Sequence, residues 1–150
     1  MRTISLWQPW ASLVVIGAKT WETRSWETGY RGPLAIHAAK KWTPEQVRLS
    51  QIEPFKSALA AAGLHAGNLP LGKVLGRVDL LTCAPIVENG IVFLKFSGNW
   101  CVPNPERAFG DFTEGRYAWG LKNPERLDTP IPERGRQRFW IFEYPAERIK

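Results

Sequence analysis

The chain has little of what marks an exported, metal-built or membrane-spanning protein. Cysteine occurs only at Cys83 and Cys101, with no Cys-x-x-Cys spacing and no histidine beside either. That excludes a disulfide framework and a zinc-finger-type site, and fits a reduced, cytoplasmic setting. Histidine occurs twice, at His37 and His65, far apart and without neighbouring ligands, so no metal is expected. No apolar run approaches the 18 or so residues of a membrane span, and the N-terminus MRTISLWQPW has no signal-peptide core. Acidic residues are also short: 14 carboxylates face 20 lysines and arginines, a net charge of +6 with pI near 9.6. A basic surplus of that size makes polyanions the first partner class to consider.

What the chain has instead is tryptophan. Eight indoles in 150 residues is an unusual number, and indoles serve either as core bulk or as stacking platforms for bases and ligands, between which composition does not choose. Apolar residues at 44% and charged residues at 23% are ordinary for a folded chain, and the length suits one domain covering 1–150.

Periodicity and punctuation set out the elements. Residues 3–7 read as a strand, and 8–16 as a helix with Pro9 at its first turn and Gly17 as its left-handed stop. Residues 19–26 and 32–40 read as two further strands. Thr43, Pro44 and Gln46 form a capping-box pattern, after which Ile52, Phe55, Leu59 and Ala62 recur at helical spacing, with Pro54 set to split the helix. Residues 73–83 predict a long strand with a bulge at Gly76, and 84–115 an elaborated loop with short elements, partly packed by its own aromatics. Strands over 116–121 and 136–144 follow, joined by a proline-rich linker. No internal repeat or low-complexity segment appears. Mainly antiparallel strands with interspersed helices predict an α+β fold built on a small β-barrel.

The chemistry-bearing stretch is GAKTWETRSW, residues 17–26. In a strand Glu22 and Arg24 share a face while Lys19 has the opposite parity. A Lys19 placed in the preceding turn would swing over to join them beside the start of the first helix, whose free amides favour an anion. The plainer reading is a surface ion pair of Glu22 with Arg24 beside a solvated Lys19. Two further basic clusters stand out, Lys40 and Lys41 beside Trp42, and Arg134, Arg136 and Arg138. Either extends a nucleic-acid footprint, and the arginines equally suit an edge strand protected from aggregation.

The stretch SLWQPWASLVVIGAKTWETRSW followed by YRGPLAIHAAKK resembles the opening of ASCH domains, the activating-signal-cointegrator homology family. Their Gly-x-Lys-x-x-Glu-x-Arg motif is met by Gly17, Lys19, Glu22 and Arg24, and QPWASL, RSW and LGRVDLLTC resemble the cointegrator-type branch. The resemblance implies a PUA-like barrel whose cleft, beside the first helix, holds RNA or another nucleic acid. Lys19, Glu22 and Arg24 would line that cleft, with Gln8, Trp10 and Ser12 on the helix side and Trp26 and Arg31 at the rim. It also implies two alternatives on the same residues. In amidohydrolases of acetylcytidine the motif lysine acts with a threonine and a glutamate. Here Glu22 replaces the threonine, Thr20 and Thr23 are out of register, and the third partner is open among Asp79, Asp111 and Glu114. In ribonucleases Lys19 and Glu22 would be catalytic, the lysine stabilising charge on phosphorus and the carboxylate acting as base. A protein-interaction module is the third class. No cofactor is expected.

Overall fold

The computed structural model describes residues 1–145. Its strands form one mostly antiparallel sheet: β1 (Arg2–Leu6), β2 (Trp21–Arg24), β3 (Gly32–Ala38), β4 (Lys73–Glu88), β5 (Ile91–Leu94), β6 (Gly98–Cys101), β7 (Tyr117–Pro132) and β8 (Trp140–Ile141). The order is β2-β7-β4-β3-β1-β8, with β5 and β6 branching from the far end of β4. Among the described residues only β1 and β3 run parallel, pairing Ser5 with His37 and Leu6 with Ala38. The same residues form four short helices, α1 (Trp10–Val15), α2 (Pro44–Ser50), α3 (Phe55–Ala60) and α4 (Glu106–Phe109).

The fold class is the expected α+β one, but the sheet does not close into the expected barrel. No ladder joins its two ends, β2 and β8, among the described residues. A physical reason lies in the last strand: Arg138 has φ 55°, which breaks the extended run expected over 136–144 and leaves only Trp140 and Ile141 paired with β1.

The short elements expected in 84–115 are the β5–β6 hairpin and α4, after β4 has run on to Glu88. One other expectation changes. The proline-rich 122–132 is strand, the second half of β7. Beyond Leu121, whose amide still donates to the Thr20 carbonyl, that half pairs with β4 alone, so Pro124 and Pro130 sit where the other edge needs no donor.

The β4–β7 ribbon shifts register three times, including the expected break at Gly76. A Cβ there would lie 2.0 Å from the Glu125 carbonyl oxygen, so only glycine lets the strands meet. Gly17 ends α1 with φ 83°, and Thr43 closes the capping box of α2 with Gln46.

Helix α1 is apolar on every side because it is sandwiched. Ala11, Val14 and Val15 pack on the sheet with Ile4, Leu34, Ile36, Val78 and the fully buried Trp119. Leu13 turns the other way, into a second cluster of Phe55, Leu59 and Phe109 that draws α3 and α4 against α1 and is flanked by Trp10. This second cluster builds a wall opposite β2. The gap between that wall and the sheet is a cleft.

Candidate functional site

The cleft has a volume of about 510 Å³. Its floor is Glu22, Thr23 and Arg24 of β2; the end of β1 supplies Ser5 and Trp7, and α1 supplies Trp10. The wall comes from Phe55 of α3 and from Phe109 to Asp111 after α4, and Arg116 closes one end.

The motif residues meet as a chain of charge. Lys19 lies in the turn between α1 and β2, where its amide donates to the Leu13 carbonyl (3.0 Å), and its side chain swings beneath β2. There Nζ donates to the Trp21 carbonyl and stands 3.6 Å from Glu22 Oε1. The other Glu22 oxygen is 3.2 Å from Arg24 Nη2, which also donates to the Ser5 carbonyl (3.1 Å). Glu22 thus bridges two cations, and Lys19 is 1% exposed. Burial pushes the Lys19 ammonium below its ordinary pKa, against the opposing pull of Glu22 and Glu106.

Lys19 therefore underpins the floor of the cleft and does not line it, in contrast to the position the family resemblance implies. What holds it there is the Trp21 carbonyl and the Glu22 carboxylate, which take up Nζ below the strand.

A second ion pair faces the first. Arg116 Nε lies 3.5 Å from Asp111 Oδ2 and donates to the Asp111 carbonyl (3.2 Å), while Nη2 donates to the Thr23 carbonyl (3.3 Å). The Thr113 hydroxyl donates to Asp111, which holds this carboxyl below its usual range, aided by the Thr113 amide and Arg116. Both cations lining the cleft, Arg24 and Arg116, thus have a carboxylate partner. Its aromatic faces are less committed: Trp7 is 48% exposed, with Lys41 Nζ 4.2 Å from its ring centroid.

Other predicted residues lie elsewhere. Gln8 and Ser12 are fully buried. Gln8 Nε2 donates to Ser12 Oγ (2.7 Å) and to the Pro70 carbonyl (2.9 Å), and Gln8 Oε1 accepts from the Ser12 amide (3.0 Å). The amides of Ala11 and Leu13 donate to the carbonyls of Trp7 and Pro9. The amides of Ala11, Ser12 and Leu13 are thus taken up by the chain itself and are not free for an anion.

Trp26 packs edge-on against Trp119 (4.8 Å) and Phe139 (5.3 Å), with Arg138 over its ring, on a different part of the sheet from the cleft. Arg31 is exposed and folds back on the Thr28 and Tyr30 carbonyls. Lys41 joins the cleft at the rim through Trp7, whereas Lys40 lines a separate cavity beside His37.

The open candidates for a third catalytic partner separate as well. Asp111 is in the cleft; Asp79 binds Asn123 Nδ2 (2.9 Å) on the β4–β7 ribbon, and the Glu114 amide donates to Asn89. Thr20 receives a carboxylate the sequence did not single out, Glu106 of α4, which accepts from the Thr20 hydroxyl (2.6 Å). Arg116, Phe55 and Phe109 were likewise missed. Phe55 was legible as a helical residue and Arg116 as a strand residue, but their meeting with Phe109 in one cleft is a long-range contact; the Phe-Gly-Asp-Phe run at 109–112 does mark a turn between two buried rings. Among the described residues no group of three or more histidine, cysteine or acidic side chains is placed to hold a metal, and no helix is long and apolar enough to cross a membrane.

The family model of the ASCH domain matches residues 4–130. Activating signal cointegrator 1 of Homo sapiens is 32% identical over 142 residues, which is 93% of this chain and 22% of that protein. The Mus musculus protein of the same name is 30% identical over 141 residues, with the same shares. The chain thus spans about a fifth of the length of these curated relatives. The crystal structure of ASCH from Zymomonas mobilis aligns with 87% of this chain and 72% of its own at 18% identity and a TM-score of 0.45. A point mutant of that protein aligns with a TM-score of 0.47. With the family model covering most of its length, this chain belongs to the ASCH domain family.

Proposed function

We propose that the chain acts as one ASCH unit that binds nucleic acid, RNA or another single strand, by seating a base in the 510 Å³ cleft. The observation that carries this reading is the meeting, in one cleft, of two indoles with two carboxylate-anchored guanidiniums. The half-exposed Trp7 offers a face to a base, and stacking of this kind is worth about 1–3 kcal/mol per base whatever its sequence. Glu22 and Arg24, with Asp111 and Arg116 opposite, offer acceptors and donors to a base edge or a ribose hydroxyl. The net charge of +6 draws the polyanion in. The name of the curated relatives, a signal cointegrator, is compatible with work at nucleic acids.

The test is a fluorescence-anisotropy titration of a short labelled single-stranded RNA into the wild type, Arg24→Ala and Trp7→Ala, at several salt concentrations. Loss of roughly tenfold or more in affinity for each variant is expected. Weak, steeply salt-dependent binding that is equal in all three would refute cleft recognition.

A second reading, phosphodiester cleavage, is favoured by one feature, the paired carboxylates Glu22 and Asp111 beside two guanidiniums in the same cleft. Incubation with RNA, with Asp111→Asn as the control, decides it. Amide hydrolysis of acetylcytidine would need Lys19 to face its substrate, and the buried Lys19 Nζ is held by Trp21 and Glu22.

A further inference from the structure

A second cavity, about 830 Å³, adjoins β1 as the cleft does, and Ser5 lines both. Its floor is a cross-strand pair fixed by the parallel register of β1 and β3. Ser5 Oγ lies 3.0 Å from His37 Nδ1, and His37 Nε2 lies 2.8 Å from the Glu133 carbonyl. A carbonyl only accepts, so Nε2 carries the proton and Nδ1 accepts from the Ser5 hydroxyl. This relay fastens the segment after β7 to the sheet. Gly135 sits down on it backbone-first: a Cβ there would meet His37 Cε1 at 2.7 Å and Ser5 Oγ at 3.0 Å. The residues on either side of that glycine are Arg134 and Arg136, and both line the cavity. Lys40 completes it, its stem lying across Gly72, where a Cβ would stand 2.9 Å from Lys40 Cγ.

The two cavities differ in charge. In the first, each lining cation is matched by a carboxylate, Arg24 by Glu22 and Arg116 by Asp111. In the second, Lys40, Arg134 and Arg136 face one acidic lining residue, Glu133. Ser5 is common to both linings. The Ser5 carbonyl accepts from Arg24 of the first cavity while its hydroxyl holds His37 in the second. Consecutive lysines divide in the same way, Lys41 over Trp7 and Lys40 in the second cavity.

The geometry points to a continuous two-part track: a single strand whose base sits in the first cleft passes the Trp7–Lys41 ridge and lays its phosphodiester backbone in the second cavity, on Lys40, Arg134 and Arg136. This rests on the base-seating reading of the first cleft and adds the phosphate contacts that cleft does not supply. Ser5 and His37 are positioning residues, holding the arginine-bearing segment in place.

The experiment compares a labelled dinucleotide with an octanucleotide of RNA across a salt series, using the full chain as wild type, Arg134→Gln/Arg136→Gln, Arg134→Lys/Arg136→Lys and Arg24→Ala. Thermal melting checks each fold. For the wild type we expect the octanucleotide to bind about tenfold tighter or more than the dinucleotide. The glutamine variant should lose that gain, keep the dinucleotide affinity, and show a log K against log salt slope shallower by about 1.4, two phosphates at roughly 0.7 each. The lysine variant should restore the slope. An octanucleotide affinity and slope unchanged by the glutamine variant, with Arg24→Ala still losing binding, would overturn the track and leave the first cleft standing. Indifference of the octanucleotide to both would overturn both. Loss of dinucleotide binding in the glutamine variant would also overturn the track, since its arginines would then serve the first cleft.

Discussion

Lys19 Nζ stands 3.6 Å from Glu22 Oε1 with the lysine side chain wholly buried, so the most conspicuous cation of the motif supports the cleft from below and never enters it. Removing one partner of such a pair leaves a poorly solvated charge behind, at a cost of about 3–5 kcal/mol. Arg24 still neutralises part of Glu22, so Lys19→Ala should sit near the lower end, about 3 kcal/mol by urea denaturation. Below its lowered melting temperature the variant should keep RNA affinity within about twofold, whereas Arg24→Ala should lose affinity with a smaller loss of stability. A Lys19→Ala protein of wild-type stability would show that the pair is idle.

Trp7 is nearly half exposed and gives the core little, so Trp7→Ala should leave stability within about 0.5 kcal/mol. The same change removes the aromatic face, and the expected cost in binding a single strand is about 1–3 kcal/mol, roughly 5- to 150-fold in Kd. Anisotropy and thermal melting on one preparation separate the two effects.

His37 provides a pH test. Burial pushes its imidazole below the ordinary value of 6.5, opposed by the hydrogen bond to the Glu133 carbonyl and by the Glu133 charge, with the cations Lys40, Arg134 and Arg136 around the same cavity. The unfolded chain therefore takes up its proton first as pH falls. Stability from this group is complete above about pH 6.5 and declines below it until the folded imidazole also titrates. Urea midpoints should drop from about pH 7.5 to 5.5 more in the wild type than in His37→Gln. A histidine NMR titration at or above 6.5 would refute the assignment.

At Gly76 the β4 backbone lies close against β7. A methyl group there would meet Glu125 backbone, which has no rotamer by which to yield, so Gly76→Ala should cost about 3 kcal/mol or more. Gly29→Ala, with open space around its Cβ, is the matched control and should be near neutral. Equal urea midpoints for the two variants would contradict the close approach.

Local chemistry was legible without coordinates. Gly17 as the stop of α1, the Thr43 capping box, the split of the helices at Pro54 and the break at Gly76 each depend on neighbours within a few residues. The Gly-x-Lys-x-x-Glu-x-Arg spacing likewise placed Glu22 and Arg24 on one strand face, and the family match over residues 4–130 agrees with the resemblance those residues carry. Residues 122–132 misled because their prolines read as a loop, when one unpaired strand edge is enough to admit them.

The tertiary structure decided which of these residues meet a ligand. Whether Lys19 lies over or under β2 depends on how α1 packs against the sheet. Whether Asp111 and Arg116 oppose Glu22 depends on a segment some ninety residues away folding back against β2. Ser5 and His37 touch only because β1 and β3 run parallel, a pairing between strands separated by a helix and another strand. Sequence fixes turns, caps and faces because those are short-range preferences of single residues. The cleft, its paired charges and the basic cavity beside it are long-range contacts, set by the collective burial of the apolar faces and by no single stretch of chain.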